Sequence, residues 1–300
     1  MKYRSVTLYP LVILPRRLEL NSEEFFEYIG VNNFPNNIVQ IDYKGETKLY
    51  TMIGDKLNSS DTHIIQGRFI LFNKRIMSKI KLNPPQEEPL KLDPNEFLEE
   101  ETYFLLDITN GVLLAEYNPG VVNVLSGRIK YLLNNILFKF KKINIADLEA
   151  IPVENFIEKI KDRAQVHKIK ISLNWANLDY LEKIGISSRK LKAYGENIEV
   201  EVTQNVKFRI PRIVTGNYID KLRETKNSIS GVAKSFKIYT DEGNFDLIGK
   251  NFVYYEINVD GTLSYDELKD SFHKGILDKY VEIQKNLLDI IRNYKTLLDY

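Results

Sequence analysis

The sequence predicts an α+β protein, with a strand-rich N-terminal domain over residues 1–140 and a mixed α+β domain over 141–300 that ends in a long C-terminal helix. Three observations predict it. Short β-branched and aromatic runs bounded by turn residues dominate the first part. Helix-like and strand-like segments then intersperse without a regular βαβ alternation, and an apolar stripe stepping by three and four residues closes the chain.

The elements follow in order. Ile38 to Tyr43 and Lys48 to Ile53 flank a Lys44-Gly45 turn and read as a hairpin, and His63 to Phe72 and Arg75 to Leu82 read as two more strands. Asn83 to Asn95 holds four prolines, which remove ladder donors and pin φ, so a loop is expected there, followed by a short helix at Glu96 to Glu100. Tyr103 to Ile108 and Val112 to Tyr117 enclose Thr109-Asn110-Gly111, an Asn-Gly hairpin signal. Val121 to Leu137 has helical spacing, and the domain boundary is placed where the chain turns basic, near Phe138 to Asn144. Beyond it, helices are expected at Val153 to Arg163, Trp175 to Ile184 (stopped by Gly185) and Asn217 to Asn227. Strands are expected at Gln165 to Leu173, Ile198 to Val202, Val206 to Ile210, Val232 to Thr240 and Phe245 to Ile257. Ser264 and Glu267 form a capping-box pattern at the start of the final helix.

Composition narrows the function classes. At 300 residues, 43% apolar and 28% charged, the chain suits two folded domains and excludes wholesale disorder. Apolar stretches such as Leu132 to Phe140 break well before the roughly 20 residues of a membrane span. Pro10 and Pro15 interrupt the early apolar run and no small-residue cleavage site follows, so a cytoplasmic protein is expected. With no cysteine, disulfide scaffolds, thiolate zinc sites and cysteine nucleophiles are excluded.

Searches for catalytic patterns yield little. His63, His167 and His273 lack metal-hydrolase spacing, and no phosphate-cradling glycine loop or nucleophile elbow occurs. Glu256, Asn258, Asp260, Gly261, Leu263, Ser264 and Glu267 match much of a calcium loop, but a strand-like run precedes them where a helix should stand. A strand, turn and helix junction is the expectation there. Asp220, Glu224 and Lys226 fall within one helix-like stretch and read as an ordinary charge pattern. No metal and no cofactor are expected.

Charge is uneven. Residues 1–120 hold 13 basic and 17 acidic side chains, 121–240 hold 22 and 12, and 241–300 hold 7 and 12, so the middle carries +10. A block of this kind provides the local field that a polyanion requires. In Val206 to Arg212, strand alternation sets Lys207 and Arg209 on the face opposite Val206, Phe208 and Ile210, with Arg212 past a Pro211 break. Lys139, Lys141 and Lys142 form a second set, Arg189, Lys190 and Lys192 a third, and Lys221, Arg223 and Lys226 a fourth. With no helix-turn-helix, zinc-finger or RNP-type signature, any nucleic-acid contact through these twelve cations should be mostly to phosphate, with weak sequence preference. Tyr280, Ile283, Leu287, Ile290, Tyr294 and Leu297 form an unbroken heptad stripe that could pack within the chain or mediate a homo-oligomer.

The succession RFILF, YFLLDITNGVLLAEYNPGVVNVLSGRIKYLL, KIKISLNWANLDYLEKIG, IEVEVTQNVKFRIP, SFKIYTDEGNFDL and a long final helix resembles the RexA and KwaB-like proteins of bacterial phage defence, from about residue 60 onward. The resemblance implies a cytoplasmic, oligomeric α+β protein that binds DNA without strong sequence preference, acts beside a small membrane-protein partner and carries no catalytic signature. Two other classes stay open: a metal-dependent nuclease whose acids converge only in the fold, and a protein-interaction scaffold.

Overall fold

The computed structural model describes residues 3–14, 20–33, 37–43, 46–58, 63–73, 78–82, 85–89, 98–118, 120–121, 127–152, 166–174, 199–205, 233–241, 243–248 and 252–298. In chain order the elements are β1 (Tyr3–Leu14), α1 (Ser22–Tyr28), a 3-10 turn (Val31–Asn33), β2 (Val39–Tyr43), β3 (Glu46–Leu57), β4 (Ile64–Asn73), β5 (Ser78–Leu82), β6 (Pro85–Pro89), β7 (Leu98–Asp107) and β8 (Val112–Glu116). They continue with α2 (Gly127–Lys141), β9 (Asp147–Ala150), β10 (Val166–Asn174), β11 (Glu199–Asn205), β12 (Ala233–Thr240), β13 (Asn244–Asp246), β14 (Tyr255–Asp260) and α3 (Tyr265–Leu298). The fold is α+β. The helices expected at 153–163, 175–184 and 217–227 and the strand at 206–210 lie outside the described residues. Among the described residues no helix is long and apolar enough to cross a membrane.

The chain divides into two compact units, Met1–Glu149 with Ile257–Asp278, and Ala150–Glu256 with Lys279–Tyr300. The first unit thus runs on to Glu149 and takes in a later segment, where the sequence reading places one boundary at 140/141. The division cuts α3 between Asp278 and Lys279.

In the first unit the sheet order is β14-β1-β8-β7-β4-β3-β2, with β9 also on β1. β1 runs on through Pro10, whose Cα partner is Leu114. Proline's φ suits an extended chain and its insertion removes a single donor, so Pro10 does not end the strand. β4 is buried on both faces. Gly67 and Phe69 look one way, where a Cβ on Gly67 would lie 2.1 Å from the Ile53 carbonyl oxygen and the Phe69 and Phe104 rings meet at 4.6 Å. On that side α1 packs over Gly54 through Phe26 and Ile29, and Phe25 and Tyr28 of α1 meet Phe140 of α2 at 5.4 and 5.0 Å. Asn21 caps α1 by accepting from the Glu24 N–H at 3.1 Å.

Gln66 and Arg68 look the other way, toward the first half of α3. The β3–β4 register slips between Gly54 and Lys56, leaving Asp55 as the extra residue of a β-bulge. Bulges re-aim side chains. Here the Asp55 carboxylate accepts from Arg68 Nε at 2.8 Å and NH2 at 3.1 Å, lies 2.6 Å from Lys269 Nζ, and meets His273 Nε2 at 3.1 Å. Arg68 also donates to Glu101 at 2.6 Å, and Glu101 accepts from the Tyr265 and Tyr103 hydroxyls at 3.0 and 2.6 Å. Gln66 Nε2 donates to the His273 carbonyl at 2.5 Å, and Tyr103 stacks on Phe272 with centroids 4.3 Å apart. Burial alone would push the Asp55 carboxyl up, but hydrogen bonds from His273, Arg68 and Lys269 and the Arg68 charge hold it well below the usual carboxylate range.

Three expectations are corrected. Pro85–Pro89 was expected to be loop, yet it pairs with β5, Ser78 opposite Pro89 and Leu82 opposite Pro85; its prolines sit at the strand ends, where a missing donor is tolerated. The helix expected at 96–100 gives way from Leu98 onward to β7, because pairing of Glu99 and Glu100 with Phe72 and Leu71 outweighs local helix preference. The strand expected over 245–257 divides into β13 and β14, where Asp246 Oδ1 accepts from the Ile248 N–H at 3.1 Å and turns the chain. At the calcium-like loop, β14 leads into a turn in which Asp260 accepts from the Thr262 N–H at 3.0 Å. Glu267 then accepts from the Ser264 N–H at 3.0 Å at the start of α3, which is the strand, turn and helix junction expected.

Candidate polyanion-binding face

The second unit is built on a four-stranded sheet of order β11-β10-β12-β13. Along β12, Phe236 and Ile238 are buried, at 1% and 0% exposure, while Lys237 and Tyr239 are half-buried. Period-two alternation puts Lys237 and Tyr239 on the face away from that apolar pair. β10 lies antiparallel beside β12 with Lys170 opposite Lys237 and Lys168 opposite Tyr239. Directly opposed residues project from the same face of a sheet. Lys168, Lys170, Lys237 and Tyr239 therefore share one patch.

Its local electrostatics are specific. Lys168 Nζ stands 5.1 Å from the Tyr239 ring centroid, and Lys237 Nζ stands 5.8 Å from that of Tyr254. Burial pushes the Tyr254 hydroxyl well above the usual tyrosine range, with Tyr239 and Glu256 adding to it, so that ring stays neutral beneath the lysine.

At one end of this patch the β10–β12 register slips between Val166 and Lys168, and His167 is the extra residue. His167 lines a cavity of about 260 Å³ together with Asp241, Tyr255, Glu256, Lys279 and Glu282. Lys279 is 2.6 Å from Glu282 and so matches one carboxylate, leaving the cavity acidic. Among the described residues no group of three His, Asp or Glu side chains is placed to hold a metal ion.

The cations singled out from the sequence have different fates. Lys139, Lys141 and Lys142 are exposed at the end of α2 in the first unit. Lys139 Nζ donates to the Ile38 carbonyl at 2.8 Å, Lys141 pairs with Glu24, and Lys142, at φ 57°, sets its Nζ 4.4 Å from the Phe138 ring centroid. Arg189, Lys190, Lys192, Lys207, Arg209, Arg212, Lys221, Arg223 and Lys226 lie outside the described residues. Of the heptad stripe, Tyr280, Ile283, Leu287 and Ile290 are buried within the chain itself at 0 to 3% exposure. Those four are thus not a free seam for a second copy. Tyr294 falls on α3, as does Leu297, with both side chains outside the described set.

The sheet patch was missed although its signal is present. Lys168-Ile169-Lys170-Ile171 has the same one-faced alternation that drew attention to Val206 to Arg212. What sequence does not display is the register that sets Lys237 beside Lys170. No protein-family model matches the chain, and no curated protein matches it.

Proposed function

We propose that the protein binds DNA through phosphate contacts, without base readout, on the Lys168, Lys170 and Lys237 face of the second unit. The observation that carries the reading is the convergence of these three lysines on one face of β10 and β12, inside the stretch of the chain whose excess is +10. At the α2 end, Lys141 pairs with Glu24 and Lys139 donates to a carbonyl. The proposal keeps the setting implied by the resemblance to RexA and KwaB-like proteins: phage defence, a homo-oligomer and a membrane-protein partner encoded nearby. The nine cations of 189–226 extend it.

Binding to labelled DNA measured by fluorescence anisotropy tests the proposal. Three phosphate contacts give a log-log salt slope of about −2 to −3, since each neutralised phosphate releases condensed counterion. Lys170→Glu combined with Lys237→Glu should weaken binding to unrelated sequences about equally and flatten the slope. Wild-type affinity in that variant would place the contacts elsewhere, and strand cleavage that stops on chelation of divalent cations would make the protein a nuclease.

A further inference from the structure

We infer that this face takes single-stranded DNA in preference to duplex, with Tyr239 as the platform for a base. The inference rests on the phosphate-binding reading above and adds the form of nucleic acid. It starts from width. Four strands at about 4.8 Å spacing make a surface some 14 Å across, whereas a major groove about 12 Å wide admits a helix or a two-stranded ribbon. The sheet can touch a duplex only along a tangent. A single strand has no such restriction and can lie across β10 and β12, where the lysines are neighbours.

The second argument is Tyr239 itself. It is half-buried on the lysine face, directly opposite Lys168 and two residues from Lys237. An aromatic ring among lysines on a half-buried sheet face supplies both parts of single-strand recognition, a stacking surface for one base and cations for the phosphates on either side. Lys168 now sits over that ring at 5.1 Å. Base stacking on an aromatic side chain is stronger than a half-exposed cation–π contact, so an arriving base displaces the ammonium, which then meets the adjoining phosphate. In a duplex the bases are already stacked and paired, and that exchange has no partner.

The third argument is the acidic cavity beyond His167. Asp241 and Glu256 repel phosphates from the Thr240 end of β12. The backbone of the strand is thereby confined to the Lys170 and Lys237 side, which leaves the base side toward Tyr239.

The experiment uses the full chain and three fluorescein-labelled probes of equal length: oligo(dT), an abasic strand with the same phosphates, and a duplex. Expected is oligo(dT) binding about tenfold tighter than either the abasic strand or the duplex. Tyr239→Leu should remove that advantage and leave duplex binding within twofold, while Tyr239→Phe should keep it. The abasic probe tests stacking on the unaltered protein, so a Tyr239→Leu variant that misfolds does not decide the outcome. Duplex or abasic strand bound as tightly as oligo(dT), or an undiminished advantage in folded Tyr239→Leu, overturns the single-strand inference and leaves the phosphate reading standing. Undiminished binding of every probe by the Lys170→Glu and Lys237→Glu variant overturns both.

Discussion

Removing the Asp55 carboxylate should cost the first unit far more than a surface charge costs. Asp55 and Arg68 side chains are 3% and 7% exposed, and His273 is 1% exposed. Asp55→Ala would leave Glu101 as the carboxylate paired with the guanidinium and would strand Lys269 without its buried partner. Breaking a buried ion pair from one side costs about 3–5 kcal/mol, because the surviving charge is left uncompensated. In a unit of this size that is a fall in melting temperature on the order of 10 °C. Lys56→Ala is the matched control one residue along, since the Lys56–Asp270 pair is 48% and 68% exposed and worth under about 1 kcal/mol. Urea unfolding followed by circular dichroism gives the stabilities, and hydrogen exchange of the β3 and β4 amides localises the loss. If Asp55→Ala and Lys56→Ala cost the same, the buried carboxylate does not hold the helix to the sheet and the reasoning is refuted. The cost should also shrink in Asp55→Leu combined with Arg68→Met, because the buried guanidinium is no longer left without Asp55 and only the more exposed Lys269 and Glu101 lose a partner.

Acid should act through the same group. With its folded value held below the unfolded one of about 3.9, Asp55 contributes stability that is present above the unfolded value and is lost as pH falls from there through the folded one. The stability gap between wild type and Asp55→Asn should therefore narrow between about pH 5 and pH 2, and a gap independent of pH would contradict the linkage. Gly67→Ala should destabilise by about 3 kcal/mol, since its Cβ meets a backbone oxygen, while Gly54→Ala meets only the Phe26 and Ile29 side chains and should cost about 1 kcal/mol; equal melting temperatures would refute the contrast. Ile283→Glu and Ile290→Glu should abolish folding rather than yield monomers, whereas Val281→Glu, 64% exposed, should stay within about 0.5 kcal/mol of wild type; light scattering with circular dichroism separates the outcomes, and a folded Ile283→Glu monomer would overturn the internal role of the stripe.

Local patterns were legible where one segment contains its own explanation. The hairpin of β2 and β3, the turn at Asn110-Gly111 with Gly111 at φ 62°, the capped start of α3 and the strand β10 were all read from short runs. Features that depend on pairing were not. Glu99 and Glu100 look helical until Phe72 and Leu71 are beside them. The role of Asp55 is invisible without the slip in register opposite Gln66, and His273, dismissed for want of a spaced partner, meets a carboxylate 218 residues away. The lysine face follows the same rule: its alternation is in the sequence, and its assembly from two strands is a matter of register.

The discontinuity of the first unit orders events during synthesis. Asp55 and Arg68 leave the ribosome long before His273, which is 218 residues downstream of Asp55. At typical elongation rates of about 5–20 residues per second, that separation is a wait of roughly 10 to 40 s. Until it ends, the buried charges of β3 and β4 have no helix to meet and stay solvated, while an intervening unit is translated between the two halves. Protease resistance of β3 and β4 on stalled nascent chains should appear only once residues through Asp278 have emerged; earlier resistance would show that the sheet closes without them.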